Sequence, residues 1–526
     1  MSDDGFINLR VVDQLLHGNG LVFNQGERVE VGTSPLWLAI LIAVVGTVRF
    51  VDEAWIAVIL GIGFTGLGIA CATLASARLR ARLSPARSGV LLFPLLAFMF
   101  LLVTPFLDFS TSGLEGGLTF LWLGGSYLLV TGDVLDSRAR LRTWVVLGLA
   151  ALVRPDLMFI ALAFAAPLTL LGSWRRTLRG AAAGLAVPLA YQIFRMGYFG
   201  AMVPNTALAK EGSSFVVNRG TSYVVDLVVT GRAWAPILCI LVLLVVVARS
   251  MPSATAQPLR LLMFAPVIGA ALDAGYVVAV GGDYMRGRLL LPALFALALP
   301  VAAVPLNRRT AAGLAVVAAA VAVPMRYGSR WDIIDERAYT IDYTRDSHPI
   351  TLHDWSDTAR TRVGVLARQA REAGQSTVYF SDVDVLQQAP LPSDSARVVV
   401  VAGTIGILGI AASRDVTVID RLGLADVVGG RIERPQVGRA GHEKVLPIEW
   451  VLARLGVAEG TFEGVSDAEV ADARRALACG DIAEALEAAS APLTAAQFLA
   501  NIGKSVPLTV ARWPGDPSQA ATVTCP

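Results

Sequence analysis

Between about residue 35 and residue 325 the chain alternates long apolar blocks with short polar joints, many of them rich in arginine. A helix needs about 20 apolar residues to cross a bilayer core of about 30 Å. The blocks at 35–51, 54–77, 88–108, 116–132, 143–153, 157–172, 178–196, 233–249, 260–280, 288–305 and 309–325 are candidate spans. The pair at 143–172 is short and broken by Arg154-Pro155-Asp156, so it reads as two spans meeting at a polar turn. About ten transmembrane helices are expected, with the first block shallow or re-entrant.

Orientation follows from the positive-inside bias. Basic residues gather at Arg78, Arg80, Arg82 and Arg87, at Arg138, Arg140 and Arg142, at Arg175, Arg176 and Arg179, at Arg249, and at Arg308 and Arg309. With these in the cytoplasm, an even number of spans separates neighbouring clusters. The alternate joints then face outward: Ser110–Gly116, Arg154–Asp156, Gly197–Val228 and Gly281–Arg288. The residues before the first block and after the last face outward with them. This organisation divides the chain into a first extracytoplasmic loop (1–33), a transmembrane domain (34–325) and an outer C-terminal domain (326–526).

In that last third the pattern changes. Short β-rich runs, Thr377–Ser381, Val398–Ala402 and Val416–Ile419, alternate with helical stretches, and an Ala-, Glu- and Leu-rich tail runs from Ile448 to Ser505. Such alternation predicts a small α/β domain. The run Gly403–Gly409 (GTIGILG) lacks the spacing of a dinucleotide loop and reads as a tight turn. Trp355 and Trp450 suit either sugar stacking or packing.

Composition supports a chain largely solvated by lipid. Of its 526 residues 55% are hydrophobic and only 16% charged, and the mean hydropathy is +0.60. Soluble chains carry about 25% charged residues. The net charge of +2 supplies no basic field, which argues against a nucleic-acid partner. Cys71 and Cys239 fall in apolar blocks, whereas Cys479 and Cys525 fall in the outer third, where a disulfide could form.

The polar residues outside the basic clusters map to one membrane face. They are Asp3-Asp4, Thr111–Glu115, Arg154 with Asp156, Asn205 with Lys210, and the run from Gly281 to Arg288 that carries Asp283, Tyr284, Arg286 and Arg288. Singly, they read as a solvated terminus, a structural ion pair or a snorkelling belt. Together they suit transfer between a membrane-borne anionic leaving group and a hydroxyl acceptor. A carboxylate takes the hydroxyl proton, and Arg or Lys stabilises the departing phosphate. A divalent cation (Mg, Mn or Ca) could assist.

The string DDGFINLRVVDQLLHGNGLVFNQGERVEVGTSPLW resembles the first extracytoplasmic loop of the GT-C polyprenyl-phosphate glycosyltransferases. STSGLE, VRPD, VPNTALAK, GGDYMRGRLLLP, VIDRLGLAD and GHEKVLPIEW follow in order, and together they resemble the mycobacterial arabinofuranosyltransferases of arabinan synthesis. The resemblance runs over essentially the whole chain. It implies a GT-C membrane domain in the cell membrane with its active site facing the periplasm. It also implies decaprenyl-phosphoryl arabinofuranose as donor, arabinan of arabinogalactan or lipoarabinomannan as acceptor, and inversion in one displacement. Asp3 or Asp4 would be the general base. Charge alone nominates Arg154, Asn205, Lys210, Arg286 and Arg288 for the donor phosphate, with Glu115, Asp156, Asp283, Tyr284 and His442 around them. Asp420, Asp426 and Glu443 lie in the same outer motifs. In the family a transmembrane helix precedes the acidic pair; here Asp3 is almost the first residue, so a misplaced start or a truncated chain is expected.

A mannosyltransferase using polyprenyl-phosphate mannose is the neighbouring reading. A flippase for a lipid-linked sugar would place ionisable groups near the midplane of paired repeats, and no such repeat is visible. A wall-assembly scaffold would tolerate loss of Asp3 and Asp4.

Overall fold

The computed structural model describes residues 1–83, 91–211, 215–251, 255–305, 307–322, 333–382, 385–392, 397–457, 462 and 464–525. The expected domain boundary at 325/326, Arg87 and the start of the span at 88–108 lie outside them. The molecule is mostly helical, with a small sheet near its C-terminal end.

Among the described residues three helices are long and apolar enough to cross a membrane: Glu53–Leu83, Gly116–Leu135 and Gln257–Val280. Val217–Thr230 and Trp234–Arg249 make a fourth if their bend of 92° is taken within one span. Pro35–Thr47, Leu141–Val153, Pro155–Thr169 and Arg288–Val301 are apolar but shorter. The break at Arg154 falls where the polar turn was expected. Leu238, Leu241, Val242, Val245 and Val246 stand exposed along one helix, as do Leu185, Leu189 and Ile193 along another. Such rows fit contact with lipid.

Small residues set the helix crossings. Helices in a bilayer gain little from hydrophobicity against each other, so close backbone approach matters more. Glu53–Leu83 and Gly116–Leu135 meet through glycines seven residues apart on each. A Cβ on Gly117 would lie 2.2 Å from the Gly61 carbonyl oxygen, and one on Gly124 would lie 2.0 Å from that of Gly68. Gly148 and Gly184 repeat the device elsewhere, at 1.8 Å.

The C-terminal sheet has four strands in the order Val385–Pro390, Thr377–Asp382, Val398–Ala402, Thr417–Asp420. The first pair is antiparallel and the others parallel. Val398–Ala402 is buried at every position, as a central strand covered on both faces must be. The strand Val385–Pro390 was not anticipated, because VLQQAP carries polar residues suited to an edge. Helices fill the tail from Ile448 onward, and a disulfide joins Cys479 to Cys525. Trp355 and Trp450 are fully buried, so they pack rather than stack on sugar.

The N-terminal stretch is a buried helix, Asp3–Leu16, lodged between the two halves. Phe6, Leu9 and Val12 enter the core of the helical bundle, whereas Ile7 and Val11 enter the core of the sheet domain. One helix is thus apolar on two faces, each serving a different core.

Replacing Gly124 with Val puts three carbons where the Gly68 backbone lies. The melting temperature in detergent is expected to fall by several degrees. An unchanged melting temperature would mean that the two helices do not touch there.

Candidate active site

The glycine-rich run read as a tight turn is instead the start of a helix, Gly406–Ala412. Its first N–H groups have no partner within the helix, and a carboxylate from elsewhere supplies one. Gly406 N and Ile407 N donate to the two oxygens of Asp3 at 3.1 and 3.2 Å. Gly406 must be glycine, because a Cβ there would lie 1.9 Å from the Asp3 carbonyl oxygen. Arg360 Nη1 stands 3.6 Å from the same carboxylate. Burial lifts the Asp3 carboxyl above its ordinary value, against the pull of Arg360 and the two N–H groups. At the far end of the short helix, Arg10 donates to the carbonyl oxygens of Gly409 and Ser413. Two residues seven apart on the N-terminal helix therefore grip both ends of Gly406–Ala412.

Asp3 is committed to this contact; Asp4 beside it is half-buried and faces a different neighbour. The Tyr284 hydroxyl donates to Asp4 Oδ2 at 3.3 Å. From Tyr284 a polar network spreads across the outer joints. Arg288 reaches both Glu115 and Asp283 at 3.4 Å. Arg154 holds Asp156 through two bonds of 3.1 and 2.6 Å and lies 4.0 Å from Glu115. Lys210 Nζ is 3.8 Å from Asp283 and 5.6 Å from the Tyr284 ring. Although burial opposes it, Arg288 and Arg154 hold the Glu115 carboxyl below its usual range. Lys210 and Arg288 do the same for Asp283, again against burial. Arg288, Arg154 and Glu115 also border a small recess with Thr119, Phe109, Phe120, Leu291 and Pro292.

The residues singled out from sequence thus fall into two groups. Asp3, Asp4, Glu115, Arg154, Asp156, Lys210, Asp283, Tyr284, Arg288 and His442 form one connected cluster, with His442 packed edge-on against Tyr284 at 4.9 Å. Burial and Arg439 push the His442 imidazole below its ordinary value. Asn205 and Arg286 are engaged elsewhere. The Asn205 amide donates to the carbonyl oxygens of Gly423, Leu424 and Asp426. Arg286 pairs with Asp226 at 2.8 Å and with Asp335 at 3.5 Å. Asp420, Asp426 and Glu443 serve the outer domain: Asp420 accepts from Leu422 N and Ala425 N, while Asp426 and Glu443 pair with Arg454 and Arg219. Among the described residues no group of three or more Asp, Glu, His or Cys could hold a metal ion. Glu115, Asp156 and Asp283 pair with arginine and lysine instead.

Three neighbours were not foreseen. Arg439 lies 4.9 Å over the Tyr284 ring. Arg360 joins Asp3 from a polar helix, Ala359–Glu372. Glu336 follows a short bridge in which Arg286 N donates to Ile334 O and Ile334 N to Tyr284 O, at 2.9 and 2.8 Å. Burial, then Asp4 and Asp3, raise the Glu336 carboxyl to about 8. Only their proximity in space marks these residues, and none sits in a run that sequence singles out.

The outer domain matches the AftB family C-terminal domain over residues 351–512. The terminal β-(1→2)-arabinofuranosyltransferase of Mycobacterium tuberculosis is 31% identical over 97% of this chain and 91% of its own. The enzyme of the same name from Corynebacterium glutamicum is 32% identical over 95% of this chain and 81% of its own. The chain belongs to this arabinofuranosyltransferase family. No solved structure matches it. Membership places it among glycosyltransferase enzymes, which sets aside the flippase and scaffold readings.

The raised Glu336 carboxyl has a consequence for stability. From its ordinary value of 4.5 up to about 8, the unfolded chain ionises while the folded chain keeps the proton. Stability is therefore fully present below the lower value and is lost as pH rises through the upper one. Glu336→Gln cannot ionise, so its melting temperature is expected to gain on that of the parent as pH rises from about 4.5 to about 8 and to run parallel to it above. Parallel curves from pH 5 to 9 would contradict the assignment.

Proposed function

We propose that the chain moves arabinofuranose from decaprenyl-phosphoryl arabinofuranose onto arabinan of arabinogalactan or lipoarabinomannan. It does so by a single inverting displacement on the periplasmic face of the cell membrane. In this reading residues 34–325 form a GT-C membrane domain of about ten spans, preceded by an outer loop at 1–33 and followed by the periplasmic domain at 326–526. The names of its relatives support the sugar and the acceptor. The observation that carries the mechanism is the different fate of two adjacent carboxylates. Asp3 is bonded to Gly406 N and Ile407 N and flanked by Arg360. Asp4 meets a tyrosine hydroxyl beside the cationic cluster.

Asp4 is the general base. As the acceptor hydroxyl oxygen attacks the anomeric carbon, its proton passes to Asp4 and the bond from that carbon to the phosphate oxygen breaks. Decaprenyl phosphate leaves with the bonding electrons. Tyr284 orients the base through its hydroxyl. Asp3 positions the helix that carries Asp4.

Arg154, Lys210 and Arg288 face Glu115, Asp156 and Asp283, three cations against three carboxylates. A phosphate entering a balanced cluster needs further positive charge, and Arg439, above Tyr284, supplies it. The carboxylates hold the cations in fixed geometry, so that little reorganisation is required as charge builds on the leaving oxygen.

Purified protein in detergent, given decaprenyl-phosphoryl arabinofuranose and a synthetic arabinan oligosaccharide, is expected to form product. Asp4→Asn is expected to lower turnover by roughly 10²–10⁴-fold. Asp3→Asn is expected to cost less turnover and more thermal stability. Full turnover in Asp4→Asn would remove the base assignment, and product from polyprenyl-phosphate mannose alone would move the enzyme to the mannosyltransferase reading.

A further inference from the structure

The helix Glu336–Thr344 is capped by Asp335, whose side chain accepts from Ala338 N at 3.0 Å. It begins one residue after the backbone bridge that ties Ile334 to Tyr284 and Arg286. Positions 336, 339 and 343 are spaced three and four apart and so share one face. That face turns toward the acidic pair: Asp4 and Asp3 act on Glu336, and Arg360 bridges from Asp3 to the helix. Its Nη2 donates to the Tyr339 hydroxyl at 2.8 Å, and its guanidinium lies 4.5 Å over the Tyr343 ring.

The two tyrosine rings are nearly parallel, 10° apart with centroids at 5.9 Å. Tyr343 leans on the buried Trp355, which meets Phe6 of the N-terminal helix edge-on. The inner ring is thus wedged in place. The outer one, Tyr339, is 40% exposed. The ring is held in place, open to solvent, and Arg360 links it to Asp3, the neighbour of the proposed base. A pentose ring has the matching chemistry: an apolar C–H face for the ring and hydroxyls for the neighbouring charged groups.

We propose that Tyr339, backed by Tyr343 and Arg360, is an acceptor subsite that stacks the furanose residue next to the one bearing the attacking hydroxyl. This rests on the transferase reading. Arg360 couples the subsite to Asp3, so that a seated acceptor and a correctly aimed Asp4 favour each other. The subsite is for the glycan chain and not for the lipid donor.

The test measures steady-state transfer with varied arabinan oligosaccharide at saturating donor, together with binding of the oligosaccharide to donor-free protein by calorimetry. Tyr339→Ala is expected to raise the acceptor KM and the oligosaccharide Kd by about tenfold, the loss of one aromatic contact, with kcat within about twofold and donor KM unmoved. Tyr339→Phe, which keeps the ring, is expected to rescue most of the affinity. Unchanged KM and Kd in Tyr339→Ala would overturn the proposal, and so would a fall in kcat without a change in acceptor affinity. Calorimetry needs no turnover: if the parent protein binds oligosaccharide but transfers nothing, the transferase reading fails while the subsite is still judged by Tyr339→Ala.

Discussion

The polar cluster depends on one helix gripping another. The N-terminal helix runs along Gly406–Ala412, with Asp3 at the end where N–H groups are unpaired and Arg10 at the end where carbonyls are unpaired. Seven residues of helix rise about 10 Å, so a spacing of two turns matches a partner of the same length. Each charge also meets the favourable pole of the short helix's dipole. The grip is buried, and the glycine at its start excludes any side chain. Because the N-terminal helix also packs into the bundle through Phe6, Leu9 and Val12, the same contact fixes the outer domain over the membrane helices. It aims Asp4 at Tyr284.

Motifs far apart in the chain meet for this reason. Glu115 of STSGLE stands between Arg154 of VRPD and Arg288 of GGDYMRGR. Asn205 of VPNTALAK bonds the backbone of VIDRLGLAD, while Lys444 of GHEKVLPIEW donates to Leu208 O. The outer domain is therefore a wall of the site, contributing Arg439, His442, Arg360 and the helix start that takes Asp3. A cluster in which cations and carboxylates balance is rigid before any ligand arrives, and binding a phosphate there has to draw on charge from that wall.

Sequence carried the parts of this that depend on local pattern. The apolar helices, the break at Arg154, the strands Thr377–Asp382 and Val398–Ala402 and the convergence of ten polar residues were legible, whereas only three or four helices among the described residues are long enough to span, against about ten expected. A long apolar run needs lipid or a core around it, and a charge stranded between such runs needs a partner at the same depth. What sequence could not carry was partnership. GTIGILG looks like a turn because its glycines break a helix pattern; only the approach of Asp3 explains why a helix starts at Gly406. Asn205 and Arg286 look like Lys210 and Arg288 in sequence, yet the former two spend their donors on backbone carbonyls and on Asp226. Glu336 and Arg360 lie in ordinary charged helices, and three-dimensional neighbours alone give them a role. The disulfide pair Cys479 and Cys525 was legible as a possibility from the expectation that its region is extracytoplasmic, not from spacing.

The most direct measurement replaces Gly406 with Ala. The added methyl meets the Asp3 carbonyl oxygen and displaces the acidic pair without removing any charged side chain. A misplacement of about 1 Å can cost about a hundredfold in rate. The account predicts that kcat falls by about that factor, with donor and acceptor KM nearly unchanged and the protein still folded. Parent-level kcat in folded Gly406→Ala protein would contradict it, because the base would then be aimed by something other than its seat on the outer domain.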